Sequence, residues 1–599
     1  MCWADCSGAV HADVARDPVE TSETLRAPRG SGRFGRLWND ETRRYPLAIL
    51  AGLALALAYP TPGIAGFAWV APGVLLMSAL GLRWKEAFRV GYVAGLIQSL
   101  VSLRWLLEMP HPAGAVAGWL ALSGYCALFP ALWVAFSTAI VARRSRPEVG
   151  GREVAGRTPV PSVGWRGAVE AYLSTPWIRR VTIPVAVAAV WVATEMLRSR
   201  LLTGFPWNPL GVSQWRQVPL LQVARVTGVY GLSFLVCWAS VAFAGACTMV
   251  AVRPRERWMW LAEARLPLFV VLACLGTGFY RVIEQRRADL LRPPSKLRVA
   301  LVQPSIPQTL LWDPAERDRS FAVVSRLTDA ALETQPDMLV WPEGDFGLDR
   351  DRFREVTSRF GGRRIPWAFS ATDVSEEGAE RSAYNAVFLG VDGAVEATYR
   401  KRRLVAFGEY VPLVRWLPFM KYLTPIGEGF AAGSEPVRFK VGNPTAGAVA
   451  APVICFEDVF AHGIRDHVGA EVDFLLELTN DGWFGTSSAQ WQHLANVVFR
   501  AVENDVAIVR CANNGITCWV DSLGLVRDVL GEAGPDVYRP GFRTIEVPVG
   551  MGRAGATWYR KYGDLFGWGC VGYAVMAAMG AVRGRGGATR EGRSFRFQV

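Results

Sequence analysis

Histidine is scarce, with five in 599 residues, which argues against a histidine-ligated metal centre. No metal or cofactor is expected. The ten cysteines (2, 6, 126, 237, 247, 274, 455, 511, 518 and 570) are scattered. They form no CxxC pair and no zinc spacing, so neither a disulfide framework nor a zinc module is indicated. Charge is sparse too, at 20% of residues, and apolar content is too high for a disordered or collagenous chain. A cleavable signal is also missing. The first apolar run starts only at residue 46 and lacks a small-residue cleavage site, so it reads as an uncleaved anchor.

What is abundant is apolar sequence: 51% hydrophobic residues and a mean hydropathy of +0.18. The residues are not spread evenly. Seven apolar runs precede residue 285, at 46–60, 64–82, 87–107, 114–142, 181–202, 220–251 and 261–280, and an eighth stands alone at 564–582. A membrane-crossing helix needs ~20 such residues. The first two runs are interrupted by Pro60, Pro62 and Pro72.

The charge excess, 65 basic against 53 acidic residues, follows the positive-inside pattern. Arginines crowd into 1–45, the Arg83–Lys85 turn, the 143–180 loop, 253–257 and the tail beyond 582. The short loops around His111 and Trp207 are almost uncharged. The excess is therefore read as topology, not as nucleic-acid binding; the Arg281 to Arg292 stretch departs from the scheme.

The expected organisation is a cytoplasmic tail at 1–45, a seven-helix membrane domain at 46–283 and an outward-facing domain at 297–548. An eighth helix at 564–582 and a basic cytoplasmic tail at 583–599 complete it. Within 297–548, strand-like runs at 297–306, 337–344, 365–372, 384–391, 450–457, 472–480, 506–514 and 516–524 alternate with helical stretches at 314–335, 459–469 and 489–505. That pattern predicts a layered α/β or α+β domain.

Three polar residues end apolar runs there: Glu343 in DMLVWPEG, Lys401 in VEATYRK and Cys455 in APVICFED. Strand ends are where sites assemble in open sheets. On periodicity alone, a buried structural cysteine and solvated charges remain the simpler alternative. The three together nonetheless offer a specific chemistry. A carboxylate can take the thiol proton, an ammonium can stabilise both a thiolate and an oxyanion, and the product is a thioester.

These motifs, WPEG, YRKRRLVAFGEYVP and ICFED, resemble the nitrilase superfamily, and within it the membrane-bound apolipoprotein N-acyltransferase branch. Supporting segments are VQPSIPQTLLWDP (302–314), LTNDGWFGTSSAQWQH (478–493), CANNGITCWVDSLG (511–524) and WVATEMLRSRLLTGFPWNPLG (191–211). The resemblance spans about 46–582. It implies an α+β, nitrilase-like αββα sandwich inserted between the seventh and eighth helices of a polytopic α-helical membrane domain.

The resemblance also implies Glu343 as general base, Lys401 as oxyanion stabiliser and Cys455 as nucleophile. It implies Glu409 supporting Lys401, Phe456 and Glu457 beside the nucleophile, and Trp312 on an arm at the entrance. The implied reaction moves an acyl chain from a membrane phospholipid to Cys455, then to the amino terminus of a diacylglyceryl apolipoprotein. The implied location is the bacterial inner membrane, with the catalytic domain periplasmic and the protein a monomer. A membrane-tethered amidase acting on small carbon–nitrogen bonds is the alternative.

Two positions depart from the family pattern: Ala406 stands where proline is usual, and Phe456 where tyrosine is frequent. The aromatic segment 411–430 reads as a lid or membrane-dipping loop, with Trp416, Phe419, Met420 and Tyr422 toward lipid; an ordinary packed loop is the alternative. Arg104, Glu195 and Arg198 are charges placed inside apolar runs and so functional candidates; Glu195 and Arg198, at i and i+3, are spaced for a mutual ion pair, with a role in binding a lipid headgroup as the alternative.

Overall fold

The computed structural model describes residues 44–145, 148–149, 152–153, 164–253, 257–377, 380–412, 414, 429–442, 447–531, 535–550 and 556–586. Trp416, Phe419, Met420 and Tyr422 lie outside these residues, as do the two terminal tails of 1–43 and 587–599.

The amino-terminal part is helical: α1 (Arg44–Leu57), α2 (Ala71–Ala79), α3 (Trp84–Ser102), α4 (Pro112–Arg144), α5 (Gly164–Leu173), α6 (Trp177–Arg198), α7 (Val229–Val252) and α8 (Arg257–Leu291). Four stretches are long and apolar enough to cross a membrane: α4, α6, α7 and Glu263–Leu291 of α8. Arg44–Leu57, Ala65–Ala79 and Leu565–Ala577 are apolar but shorter. The run at 87–107 resolves into α3, which opens with Lys85, Glu86 and Arg89, and a 3-10 turn at Arg104–Glu108. Gly91 and Gly95 let α3 lie on α4: a Cβ at either would come within 3.0 Å of the Ala131 or Ala127 backbone. Small residues four apart produce such close helix packing.

Two expectations change here. Helix α8 does not stop near residue 280; it continues through Arg281 and Arg287 to Leu291 and delivers the chain to the first strand. Glu195 and Arg198 also turn to other partners. Glu195 Oε1 accepts from Trp191 Nε1 at 2.8 Å and from the Leu210 amide at 2.7 Å. Arg198 donates to the Asn208 carbonyl at 3.3 Å. The polar backbone of the loop after α6 takes up both charges, while Arg104 is exposed.

Between 295 and 549 the strands are β1 (Ser295–Gln303), β2 (Met338–Val340), β3 (Trp367–Glu377), β4 (Glu380–Val391), β5 (Ala394–Arg400), β6 (Phe439–Val441), β7 (Ala448–Ile454), β8 (Phe474–Thr479), β9 (Ala507–Ala512), β10 (Cys518–Val520), β11 (Val526–Arg527) and β12 (Gly541–Val549). They build two six-stranded sheets, ordered β12-β1-β2-β3-β4-β5 and β11-β10-β9-β8-β7-β6. Each has three parallel strands at its centre and antiparallel strands at its edges.

Alternation assigns the faces. Val299, Leu301, Val340 and Val387 of one sheet meet Ile454, Leu476, Leu478 and Val509 of the other in a shared core. The outer face of the first sheet is covered by α9 (Arg317–Glu333) and α10 (Arg350–Ser358), with Phe321, Val324 and Val356 against Leu339, Trp341 and Trp367. Helices α11 (Ala461–His467) and α12 (Ala489–Asn504) cover the second. The result is the expected αββα sandwich.

The sandwich does not stand apart from the helical base. Side chains of α12 and the second sheet share one apolar cluster with α6, α7 and the Leu220–Leu221 turn. Polar ties reinforce it: Arg225 pairs with Asp505 at 2.7 and 2.9 Å, and the Val229 amide donates to Glu503 at 2.8 Å. After β12 the chain returns to the base through α13 (Trp558–Tyr562) and α14 (Leu565–Gly586), and α14 packs on α6.

Candidate active site

Strand β7 runs between β6 and β8 and ends at Ile454, buried in the sandwich core. The next residue, Cys455, has φ +49°, in the left-handed region that side chains with a Cβ seldom adopt. Such strain persists only where surroundings impose it. Here Glu457 imposes it from within the following 3-10 turn, Cys455–Val459. Its carboxylate accepts from the Ile454 amide at 2.9 Å, the Arg402 amide at 2.8 Å and the Arg403 amide at 3.0 Å. The Tyr399 hydroxyl donates to both its oxygens, at 2.9 and 2.8 Å. One carboxylate therefore fastens the cysteine turn to the chain on both sides of Lys401. Burial pushes the Glu457 carboxyl up, against the amides that favour its charged form.

Lys401 follows β5 and is 1% exposed. Its Nζ lies 2.7 Å from Glu409 Oε1 and 3.4 Å from Glu343 Oε1. Asn385, on β4, donates to Glu343 at 2.7 Å and to Glu409 at 2.9 Å, bridging the carboxylates. Glu409 also accepts from the Val405 amide at 2.8 Å, which sets the loop containing Ala406. Burial alone would lower the Lys401 ammonium. Glu343, Glu409 and Cys455 outweigh it and hold the group charged well above the ordinary lysine range.

Cys455 is within electrostatic reach of both Glu343 and Lys401, so the three sequence-predicted residues converge. Its thiol is pushed well up, first by burial and then by Glu343, while Lys401 pulls it down. The resting thiol is thus neutral and needs a base to act; the carboxylate that raises it is the group placed to take its proton.

Phe456 is half-buried, stacked at 6.1 Å on Phe205 and 6.2 Å on Trp207 of the loop after α6. Those rings continue into Trp105 and Phe484, an aromatic wall shared by base and sandwich. Trp312 is half-exposed and lies edge-on to Trp483 at 4.8 Å, on the turn Asp481–Phe484.

Sequence reading missed Asn385, Tyr399 and Thr479. Thr479 ends β8, and its buried hydroxyl lies against Cys455, favouring the thiolate. Asn385 and Tyr399 sit at alternating strand positions, where a polar residue looks like a solvent-facing one. The only signal for them is that each lies within a few residues of an already suspected strand end.

With this geometry in hand, relatives can be compared. Residues 51–242 match the apolipoprotein N-acyltransferase N-terminal domain, and residues 298–534 match the carbon–nitrogen hydrolase family. An apolipoprotein N-acyltransferase of Geobacter metallireducens is 33% identical over 552 residues, covering 90% of this chain and 95% of that one. One of Gloeobacter violaceus is 28% identical over 91% of this chain and 95% of its own. One of Pseudomonas putida is 33% identical over 61% and 70%. A fold, a converging Glu–Lys–Cys trio and full-length similarity agree, and the chain belongs to the apolipoprotein N-acyltransferase family.

Proposed function

We propose that this protein N-acylates the amino-terminal diacylglyceryl-cysteine of apolipoproteins, with a membrane phospholipid as donor and a Cys455 thioester as intermediate. The observation that carries the reading is the Lys401–Glu343–Cys455 convergence in a chain whose helical base is tied into the catalytic sandwich.

In the first half-reaction Glu343 takes the Cys455 proton and the thiolate attacks the donor's ester carbonyl. Lys401 stabilises the oxyanion; a charged donor in a dry site is worth far more than in water. The tetrahedral species collapses, the C–O bond breaks, and Glu343 returns the proton to the departing lysophospholipid alkoxide. In the second, the α-amine attacks the thioester, Glu343 takes a proton from nitrogen, the C–S bond breaks, and Glu343 passes that proton to the departing Cys455 sulphur, restoring the neutral thiol. Glu409 holds Lys401, and Glu457 and Phe456 shape the turn beside the nucleophile. Trp312, Trp416, Phe419 and Met420 are proposed to meet the lipid chains.

The physical setting supports a membrane-borne enzyme. Pulling a sixteen-carbon chain from a bilayer forfeits about 12 kcal/mol at ~0.8 kcal/mol per CH₂. An enzyme resting on a membrane base leaves that chain in lipid. We place the catalytic sandwich outside, between a seventh and an eighth crossing, on the arginine distribution. Exposed Phe269, Leu272, Phe279 and Ile283 of α8 suit contact with acyl chains. The proposed location is the bacterial inner membrane, facing the periplasm, and the working unit a monomer.

Mass spectrometry of Cys455 after incubation with phospholipid tests this reading. An acyl adduct, absent in Cys455→Ala and discharged by a diacylglyceryl-cysteine peptide, is the expected result. Release of ammonia from small amides without any adduct would overturn it in favour of an amidase.

A further inference from the structure

A cluster of buried ionisable groups takes no part in the chemistry above. His493, on α12, is 2% exposed, with Nε2 2.9 Å from Asp458 Oδ1 and Nδ1 2.8 Å from Asp481 Oδ1. Arg510, on β9, lies against the same carboxylates, 2.7 Å from Asp481 Oδ2 and 3.5 Å from Asp458 Oδ2. It also pairs with Glu477, its neighbour in register on β8. Ligand atoms of Asp458, Glu477 and His493 lie within 4.8 Å of one another, a spacing that would suit a cation. The Arg510 guanidinium already occupies that role, and a metal would have to displace a buried, triply paired arginine.

Each carboxylate belongs to a turn that borders the nucleophile. Asp458 lies three residues beyond Cys455 in the same 3-10 turn. Asp481 lies two beyond Thr479, and its charge reaches the Cys455 sulphur. The ring bridges the two turns, Nε2 to Asp458 and Nδ1 to Asp481, and Nδ1 also lies 3.0 Å from Arg510 Nη2. Two carboxylates facing one imidazole favour its charged form. Burial and Arg510 oppose that charged form, but Asp458 and Asp481 outweigh them, and the ring is pushed up to about 10.

The third side of His493 faces the base. The Trp207 ring lies 5.6 Å from the imidazole. Gln492, the preceding residue, accepts from Trp207 Nε1 at 2.7 Å. The loop after α6 therefore touches a side chain that, together with Arg510, joins the two turns.

We propose that His493 is a positioning residue for acyl transfer: bridging Asp458 and Asp481, it holds the Cys455 turn in register with the Thr479–Asp481 turn, and the packing of Trp207 makes that register depend on the base loop. The proposal rests on Cys455 being the nucleophile. Positioning matters because a misplacement of about 1 Å at a reacting atom can cost roughly 100-fold in rate.

The test uses the full-length protein in phospholipid-containing micelles. His493→Gln keeps a polar, uncharged group in the same space. Two rates are followed by mass spectrometry across pH: acyl-adduct formation on Cys455 and its alkylation by iodoacetamide. Alkylation of buried Cys511 reports loss of the fold. The expected result is adduct formation slowed by roughly 100-fold, with the half-saturating phospholipid concentration unchanged. The Cys455 alkylation profile should shift along pH while Cys511 stays protected. Trp207→Ala should slow adduct formation in the same way but less.

Adduct formation at the parent rate overturns the proposal, as does exposure of Cys511, which would make His493 a purely structural residue. A Trp207→Ala effect confined to half-saturation overturns the link to the base. If the unsubstituted protein forms no adduct at all, the acyl-donor reading fails instead, and the alkylation comparison still decides the role of His493.

Discussion

Glu409 holds Lys401 at 2.7 Å, closer than the 3.4 Å that separates Lys401 from Glu343. The ammonium is thus held by both carboxylates, Glu343 and Glu409, with Glu409 the closer hydrogen-bond acceptor. On the proposed mechanism Glu343 is the one that exchanges a proton with Cys455. Asn385, donating to both carboxylates, keeps the two negative groups from separating.

Glu409→Gln should therefore impair chemistry more than binding. Without its nearer partner, Lys401 shifts toward Glu343 and ties up the base. A fall in kcat of about 10²–10³-fold is expected, the size of losing one oxyanion-stabilising donor, with KM little changed. Steady-state kinetics on phospholipid and a lipopeptide acceptor decide it; an equal rise in KM would show that Glu409 serves binding instead.

Glu457→Gln tests the clamp behind the cysteine turn. The carboxylate accepts three backbone amides and the Tyr399 hydroxyl. A glutamine must point its NH₂ at some of these donors, leaving buried groups unpaired at about 1–3 kcal/mol each. Both the melting temperature and Cys455 acylation should fall. Tyr399→Phe, which leaves the Glu457 carboxylate in place for all three amides, should lose clearly less of each. Indistinguishable behaviour of the two variants would refute the clamp.

Glu343, Lys401 and Cys455 stand at the ends of strand-like runs, but it is the resemblance of WPEG, YRKRRLVAFGEYVP and ICFED to known motifs that singles them out in the sequence. Asn385 is not legible there, since within a strand a polar residue at alternating positions resembles a solvent-facing one; Thr479 also ends its strand, but a lone threonine there carries no chemical signal. The end of α8 is misread for a related reason. Hydropathy reports what surrounds a helix, whereas Arg281, Glu284, Arg286 and Arg287 are good helix formers that carry the backbone on to Leu291. Strand β12 pairs with β1 from the far end of the domain, so no local pattern announces it. Glu195 and Arg198 have the right spacing for a pair, yet spacing cannot reveal that a loop amide and a tryptophan compete for the acid.

Stability should fall as pH rises on the alkaline side. His493 is held up to about 10, so its stabilisation is complete below the ordinary histidine value of about 6.5 and is lost as pH rises toward 10. Glu477, pushed by burial up to about 8, and Glu503, up to about 7, lose their share earlier, from the ordinary carboxyl range upward. On the acid side, burial holds His467 down at about 3. The unfolded chain then binds more protons below about 6.5, and stability falls as pH drops. Melting temperatures across pH 4–10 should show both limbs, with His493→Gln flattening the alkaline one and His467→Gln the acid one. An alkaline limb unchanged in His493→Gln would count against the imidazolium.

Gln492 is where the base and the sandwich are fastened most densely. Its Oε1 accepts from Trp105 Nε1 at 3.2 Å, Trp207 Nε1 at 2.7 Å and Asn208 Nδ2 at 3.1 Å. Its Nε2 donates to the Pro60 carbonyl at 2.8 Å and the Ser102 carbonyl at 3.1 Å. It also reaches Ser488 Oγ at 3.3 Å. A leucine of similar size would fill the space but strand these partners. At about 1–3 kcal/mol for each buried group that finds no water, Gln492→Leu should cost several kcal/mol even with partial rehydration. Gln492→Glu keeps the acceptor and loses the bonds donated to Pro60, Ser102 and Ser488, so it should fall between leucine and the parent at a pH where the acid is charged. Denaturant titrations in micelles should rank the three in that order. A leucine variant as stable as the parent would mean that apolar packing alone, through Trp105, Trp207 and Phe484, holds the two parts together.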